Sequence, residues 1–358
     1  MSKGYGKMKS ISKGSLVALV LAGLVSIGGM AEAADMSTNE TVKIEQGRIY
    51  SKAHEMSLSD NMESVRYPNG GITLAGNVYF PKDFDKSKQY PAIVVGHPGG
   101  GVKEQTAGLY ARLLAEQGFV TIAFDAGYQG ESSGTPRHVD IPQLRITDYS
   151  ATIDYLDSLP YVDTARIGVL GICAGGGTAT STAISDKRIK ALGTVSAFMR
   201  FNTGWDGTPL TVEQKLAALN AAAEARTKEA RGEGATYANY LFPPTAETPK
   251  DLAEAYEYYL TERGQYPTAG NKLDLGYSSL SMVYNALEGA ELLVQPTLLI
   301  AGSEAGSLWQ SQQIYDAIGA KDKELFLVKG ANHMSMYDNA DYVGQAVKKL
   351  AAFYKKNL

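Results

Sequence analysis

The sequence predicts an α/β fold: a mostly parallel sheet with helices on both faces and a helical cap insertion. Three observations predict it. Short apolar runs recur along the chain, helix-length segments separate them, and the alternation stops between Met199 and Ala290. Apolar runs without polar alternation suit strands covered on both faces, the environment of a parallel sheet. Alternating strand and helix places helices on both sides of that sheet.

The first element is not part of the fold. Lys3, Lys7, Lys9 and Lys13 precede an uncharged stretch from Gly14 to Met30, and Ala31-Glu32-Ala33 offers small residues where a signal peptidase reads. Residues 1–33 are expected to be an export signal cleaved before Ala34, giving a periplasmic or secreted protein. The stretch is short for a spanning helix and broken by Gly and Ser, so no stable membrane association is expected after cleavage.

A β-hairpin is expected over 64–80, turning at Asn69-Gly70-Gly71, where glycine tolerates the positive φ of a tight turn. Buried strands follow at 92–95, 119–124, 167–170, 191–198, 297–301 and 325–328. Helices are expected at 103–117, 144–158, 176–186 and 307–319. In the insert, Thr211 and Gln214 fit a capping box ahead of an Ala- and Leu-rich run to Ala230. Pro249 opens a second helix reaching about Leu260 as its first residue, and a third is expected over 278–287. The core is thus residues 34–198 plus 291–358, and the cap is 199–290.

Composition narrows the function classes. The chain has 358 residues, 44% hydrophobic and 20% charged, which excludes a disordered or fibrous protein. Its net charge of −4 lacks the basic surplus of a nucleic-acid binder. Cys173 is the single cysteine, so no disulfide framework exists. The histidines and the cysteine are scattered without ligand spacing, so neither a metal nor a cofactor is expected. A small-molecule substrate remains as the partner.

Chemistry concentrates in Gly171-Ile-Cys-Ala-Gly-Gly-Gly177. A buried strand ends there and a helix opens, with Cys173 between them: a Gly-x-nucleophile-x-Gly elbow with cysteine in place of serine. The glycines let strand, turn and helix approach closely. The helix N-terminus favours a thiolate, and the Ala174 N–H supplies one oxyanion donor. The base is expected to be His333, in Gly330-Ala-Asn-His333 just after the last strand, at the carboxyl edge of the sheet. Glu304, after strand 297–301, is the preferred orienting acid, with Asp125 and Asp338 as further candidates. Gly96-His-Pro-Gly-Gly-Gly-Val-Lys103 should complete the oxyanion hole. Val102 separates Gly101 from Lys103, so the loop lacks the Gly-Lys-Ser/Thr of a phosphate loop. His97 there either cradles substrate or packs to shape the turn, while His54 and His138 are expected at the surface.

These segments resemble the α/β-hydrolase superfamily, in its dienelactone-hydrolase-like branch, over about 61–198 and 291–358. The resemblance implies an eight-stranded, mostly parallel sheet and the chain order nucleophile, acid, histidine, which Cys173, Glu304 and His333 keep. Pro98 has no N–H where relatives often place a donor, so the second donor falls to Gly99 or a neighbour.

The expected reaction is covalent acyl transfer through Cys173. A thiolate leaves a tetrahedral intermediate more readily than a basic alkoxide does. Thioesters, lactones and activated esters should therefore react in preference to plain esters. His97, Met199, Tyr256 and Tyr259 are the expected substrate contacts, in a pocket rich in aromatic side chains. Eight of the 22 tyrosines fall in the insert. Transfer to another acceptor, or ligand binding on an inactive scaffold, are the alternatives.

Overall fold

A computed structural model describes residues 44–358; the expected export signal lies outside the described residues. After helix α1 (Lys52–Ser57), strands β1 (Met62–Asn69) and β2 (Ile72–Tyr79) form the expected hairpin, with Gly70 at φ +56° in the turn. The rest of the core runs β3 (Tyr90–Gly96), α2 (Gly108–Ala115), β4 (Val120–Phe124), α3 (Pro142–Asp157), β5 (Val162–Ile172), α4 (Ala174–Ser185) and β6 (Ile189–Val195). The insert carries α5 (Val212–Ala230), a two-residue ribbon of β7 (Tyr237–Ala238) with β8 (Leu273–Asp274), α6 (Lys250–Leu260) and α7 (Ser278–Met282). Then come β9 (Thr297–Gly302), α8 (Leu308–Ala317), β10 (Lys323–Val328), α9 (Ser335–Asp338) and α10 (Ala340–Asn357).

Eight strands make one sheet in the order β1-β2-β4-β3-β5-β6-β9-β10. β1 and β2 are antiparallel, β2 is antiparallel to β4, and every later pair is parallel. The uninterrupted apolar runs are explained by two cores. Ile93 and Val95 face one cluster with Tyr110, Leu114, Leu350 and Tyr354, whereas Ala92 and Val94 face another with Tyr149, Ile153, Ala179 and Ile314. The central strands are therefore apolar over most of their length, because both of their faces are dry. Among the described residues no helix is long and apolar enough to cross a membrane.

Several boundaries differ from expectation, two of them for a clear packing reason. Helix α2 starts at Gly108, not 103, because Lys103–Ala107 form a wide irregular turn, non-helical at Gln105. That turn buries the Lys103 side chain among carboxylates and lets Gln105 Nε2 donate to Gly264 O at 2.6 Å. Helix α7 stops at Met282, because the chain turns to seat Tyr284, whose hydroxyl donates to Gly177 O (3.1 Å) on α4. Pro249 caps α6 instead of forming its first residue. The capping box of α5 is present, with Gln214 N donating to Thr211 Oγ1 (3.2 Å) and Thr211 N to Gln214 Oε1 (2.8 Å).

Candidate functional site

Cys173 sits between β5 and α4 at φ 54°, ψ −120°, a conformation that costs a non-glycine residue about 1–3 kcal/mol. The surrounding glycines make it possible. A Cβ at Gly171 would lie 2.2 Å from Gly175 O, and one at Gly175 would lie 2.5 Å from Gly96 O. The turn is fixed by Cys173 N donating to Val195 O (3.0 Å) and by Cys173 O accepting from Gly176 N and Phe198 N (2.8 Å each). The thiol is therefore presented at the carboxyl edge of the sheet.

Its protonation differs from the sequence expectation. Burial pushes the Cys173 thiol up; the Tyr337 hydroxyl and the N–H groups of Ala174 and Gly99 pull it back only in part. Desolvation outweighs the helix N-terminus, so the resting group is a thiol. Ala174 and Gly99, the two expected oxyanion donors, both face the sulfur and line the same pocket.

Gly99 is held by a buried network beneath the loop. Arg145 on α3 donates to His97 O (2.8 Å) and Pro98 O (3.2 Å) and pairs with Asp140 (2.7 Å). Asp140 in turn accepts from Gly100 N (3.2 Å) and from the cap's Tyr240 hydroxyl (2.7 Å). His97 belongs to this scaffold and not to the substrate surface, which corrects that expectation. Its Nδ1–H donates to Pro98 O (2.7 Å) and its Nε2 accepts from Ala126 N (3.0 Å), so both ring nitrogens are spent inside. Burial and the Arg145 charge push its pKa down to about 4 and keep it neutral.

His333 follows β10 and is 1% exposed. Its Nδ1 shares a 2.5 Å hydrogen bond with Ser307 Oγ, and its Nε2 a 3.2 Å hydrogen bond with the Tyr337 hydroxyl. Its backbone N–H donates to Asp251 Oδ1 (3.4 Å). Asp251, from cap helix α6, also accepts from Gly306 N (2.7 Å) and Trp205 Nε1 (3.1 Å). The Trp205 ring packs edge-on against the imidazole at 4.9 Å. Burial pushes the His333 pKa down to about 4, with the Asp251 charge opposing it, so the imidazole is a free-base acceptor at neutral pH.

Glu304 does not reach this histidine. It is exposed, and its recorded bond is a backbone one, N to Ala331 O at 2.9 Å. The loop from Gly302 to Ser307 turns so that Ser307, three residues later, points inward. The other two candidate acids are committed elsewhere. Asp338 is paired with Arg263 at 2.7 and 2.8 Å, and Asp125 with Lys103 at 2.9 Å. Ser307, Asp251, Trp205 and Tyr337 were not singled out in the sequence. Only Tyr337 carried a signal, four residues after His333 and thus one turn away.

The pocket above the thiol has about 760 Å³ of open space, its mouth included. Core residues Phe198, Met334 and Tyr337 and cap residues Trp205, Leu252 and Tyr259 form its apolar wall. Tyr259 is there as expected, with a buried hydroxyl that has no hydrogen-bond partner among the described residues. Met199 and Tyr256 are corrections. Met199 is fully buried in the sheet core, and Phe198 and Phe201 beside it line the pocket. On α6 the lining positions are 252, 255 and 259, which share one helix face; Tyr256 is turned about 100° from Ala255.

One group of three carboxylates comes close together among the described residues, Glu104, Asp125 and Glu131. The Lys103 ammonium already fills it, paired with Glu104, with Asp125 (2.9 Å) and with Glu131 (2.8 Å).

A mostly parallel eight-stranded sheet, a thiol on the tight turn after β5 and a histidine after the last strand are the arrangement of an α/β-hydrolase. The chain belongs to the Hydrolase_4 family, described as serine aminopeptidase S33, whose model matches residues 88–340. The protein is therefore a hydrolase of the α/β type, with Cys173 at the elbow where the family description speaks of a serine. It is 48% identical over 298 residues to the protein YcjY of Escherichia coli K12, covering 81% of this chain and 96% of that one. The crystal structure of PA2218 from Pseudomonas aeruginosa superposes with a TM-score of 0.80 at 34% identity, over 89% of this chain and all of that one. A thiohydrolase of Aspergillus aculeatus, AneE, is 29% identical over 157 residues, 44% of this chain and 48% of that protein.

Proposed function

We propose that the protein cleaves activated esters, lactones or thioesters of an uncharged, largely apolar acyl group through an acyl-Cys173 intermediate. The observation that carries this reading is the thiol itself, held at φ 54° on the elbow under an apolar pocket with two backbone N–H groups facing it. The sulfur attacks the carbonyl carbon, and the N–H groups of Ala174 and Gly99 hold the oxygen as it gains charge. His333 takes the thiol proton, returns a proton to the leaving heteroatom, and then activates the water that releases the acid. Sulfur is a good nucleophile but also a good leaving group, so substrates whose own leaving group is weakly basic partition forward. That restricts turnover to the named bonds, in keeping with the dienelactone-hydrolase-like pattern of the elbow and with the similarity to a protein named a thiohydrolase.

The pocket argues against aminopeptidase activity. Recognition of a free N-terminal ammonium needs a carboxylate, and among the described residues none lines the pocket. Asp251 lies behind His333, saturated by Gly306 N, Trp205 Nε1 and His333 N. The lining favours an acyl chain or ring, with the Tyr259 hydroxyl free to donate to it.

Export completes the reading: the protein would act outside the cytoplasm, after removal of residues 1–33. The test is a panel of p-nitrophenyl esters, lactones and acyl thioesters, run on the parent and on Cys173→Ala, with intact mass spectrometry of the quenched enzyme. Turnover with an acyl adduct on Cys173 is expected, as is an N-terminus at Ala34 in the exported protein. Full activity in Cys173→Ala would remove the mechanism, and arylamide cleavage faster than thioester cleavage would remove the substrate class.

A further inference from the structure

The loop that carries Gly99 is held from two sides, and one of them is the cap. Gly99 and Gly100 line the pocket beside Cys173 and Ala174. Glycines have no side chain to anchor a loop, so bonds to its main chain set its position. From the core, Arg145 donates to His97 O and Pro98 O, and Asp140 Oδ2 accepts from Gly100 N at 3.2 Å. The same carboxylate oxygen accepts from the Tyr240 hydroxyl at 2.7 Å, and Tyr240 belongs to the cap, just after β7. We propose that Tyr240 is a positioning residue of the oxyanion hole: through Asp140 and by contact with Gly100, it fixes the loop so that the Gly99 N–H meets the developing oxyanion. The proposal rests on acylation of Cys173 with Gly99 as a donor, as argued above, and adds that the cap completes the hole.

Three features support this role. First, the ring itself touches the loop. Gly100 has φ +65°, and a Cβ there would lie 3.0 Å from both Cδ2 and Cε2 of Tyr240, so backbone and neighbour alike call for glycine. Second, the hydroxyl bond lies out of water. The side chains of Asp140 and Arg145 are 9% and 4% exposed, and a hydrogen bond to a carboxylate is strong in such surroundings. Burial pushes the Asp140 pKa up, but the Arg145 charge and the Tyr240 hydroxyl outweigh it and keep the group ionised, an acceptor only. Third, Tyr240 is itself anchored. The next residue is clamped by Asn271, whose Oδ1 accepts from Leu241 N (2.8 Å) and whose Nδ2 donates to Leu241 O (2.7 Å). The Tyr240 ring packs with Leu273 and Met282, and Ser281 Oγ gives the cap a second tie, to Asp140 O (3.1 Å).

The loop also lies close to the elbow. A Cβ on Gly99 would be 3.6 Å from Ala174 Cβ, and one on Gly175 2.5 Å from Gly96 O. A small shift of the loop therefore changes the distance between the two N–H groups that the oxyanion needs. Such a shift weakens the transition state more than the bound ester, because the carbonyl oxygen gains its charge only as sulfur attacks.

The test compares full-length parent with Tyr240→Phe, which removes the hydroxyl and keeps the ring over Gly100. Three quantities are read: the rate of the p-nitrophenol burst from p-nitrophenyl acetate, the KM for that ester, and alkylation of Cys173 by iodoacetamide. Alkylation displaces iodide from a saturated carbon and puts no charge on a carbonyl oxygen, so it does not draw on the hole. Tyr240→Phe is expected to slow the burst about tenfold, against the roughly hundredfold or more that follows outright loss of a donor. KM and the alkylation rate should stay within about twofold of the parent, as for an intact pocket and thiol. Site-specific Tyr240→4-aminophenylalanine keeps a weaker donor in the same place and should acylate at a rate between those of the parent and Tyr240→Phe. A Tyr240→Phe protein that acylates as fast as the parent overturns the proposal. So does one that loses alkylation and acylation by the same factor, since the thiol and not the hole is then disturbed. If Tyr240→Phe fails to fold, a parental burst rate in the 4-aminophenylalanine protein overturns it instead. A parent whose Cys173 never carries an acyl group overturns the function on which the role rests.

Discussion

Ser307 Oγ lies 2.5 Å from His333 Nδ1, in the place where a carboxylate is expected in an α/β-hydrolase. A hydroxyl holds the ring in place but brings no charge to stabilise an imidazolium. The nearest negative group is Asp251, bound to the backbone of His333 and of the loop before Ser307. The proposed cysteine nucleophile would tolerate this arrangement, because a thiol gives up its proton far more readily than an alcohol. The cap supplies that charge, so cap and chemistry are linked through one side chain.

This assigns the roles of three acidic or polar positions. Glu304→Gln should keep kcat within about twofold, as expected of an exposed side chain. Ser307→Ala should lower kcat roughly tenfold with little change in KM, and Asp251→Asn by at least as much. Steady-state kinetics on an aryl ester reads all three. A hundredfold loss in Glu304→Gln would restore the carboxylate that the geometry removes.

The elbow admits no side chain at its glycines. Gly175→Ala puts a methyl group 2.5 Å from Gly96 O and 2.8 Å from His97 O, both backbone atoms of the oxyanion loop. A loss of about 3 kcal/mol or more is expected, read by urea denaturation, together with loss of the p-nitrophenol burst. A variant with parent stability would show that β3 and α4 are not packed as described.

His97 ties folding to pH. Burial holds its pKa down to about 4 in the folded chain, against about 6.5 for a free imidazole. Between those values the unfolded state binds more protons, so stability is fully present above about pH 6.5 and is lost as pH falls toward 4. The contribution is on the order of 3 kcal/mol. His97→Gln should therefore be less stable than the parent at pH 7.5 but lose less on acidification, with a shallower slope of unfolding free energy between pH 4 and 6.5. Equal slopes would mean that His97 is protonated in the native protein.

The buried lysine gives the opposite dependence. Lys103→Met leaves Glu104, Asp125 and Glu131 facing one another, and removing one partner of a buried ion pair costs about 3–5 kcal/mol. Burial pushes the Glu104 pKa up to about 7 even with Lys103 present, and loss of the cation pushes it further up. The variant takes up a proton to relieve the repulsion. Its deficit against the parent should then be larger at pH 8 than at pH 6, as measured by denaturant unfolding at both. A deficit that shrinks with rising pH would contradict the ion cluster.

The parts of the fold that could be read from the chain are those governed by near neighbours. The runs at 92–95 and 298–301 are apolar at every position because two helical layers cover them, and that environment leaves its mark on consecutive residues. The capping box at Thr211 and the hairpin turn at Gly70 are likewise closed within a few residues. The insert was legible as an interruption, but not its role in the site. Asp251 reads as an ordinary first-turn acid of α6, and Trp205 as a loop residue.

By itself the sequence determined the sheet, the elbow with Cys173 at its apex and the histidine after the last strand. Each is set by short-range backbone geometry: a strand buried on both faces, glycines at a close approach, a loop after a strand. Only the tertiary structure decided that Ser307 and not Glu304 meets the imidazole, that Asp251 reaches the His333 backbone from the cap, and that the Tyr337 hydroxyl meets the other ring nitrogen. It also decided that the thiol rests protonated, because burial outweighs the helix N-terminus. Contacts between segments distant in the chain, and the removal of water they bring about, depend on how surfaces pack, and no local pattern records that.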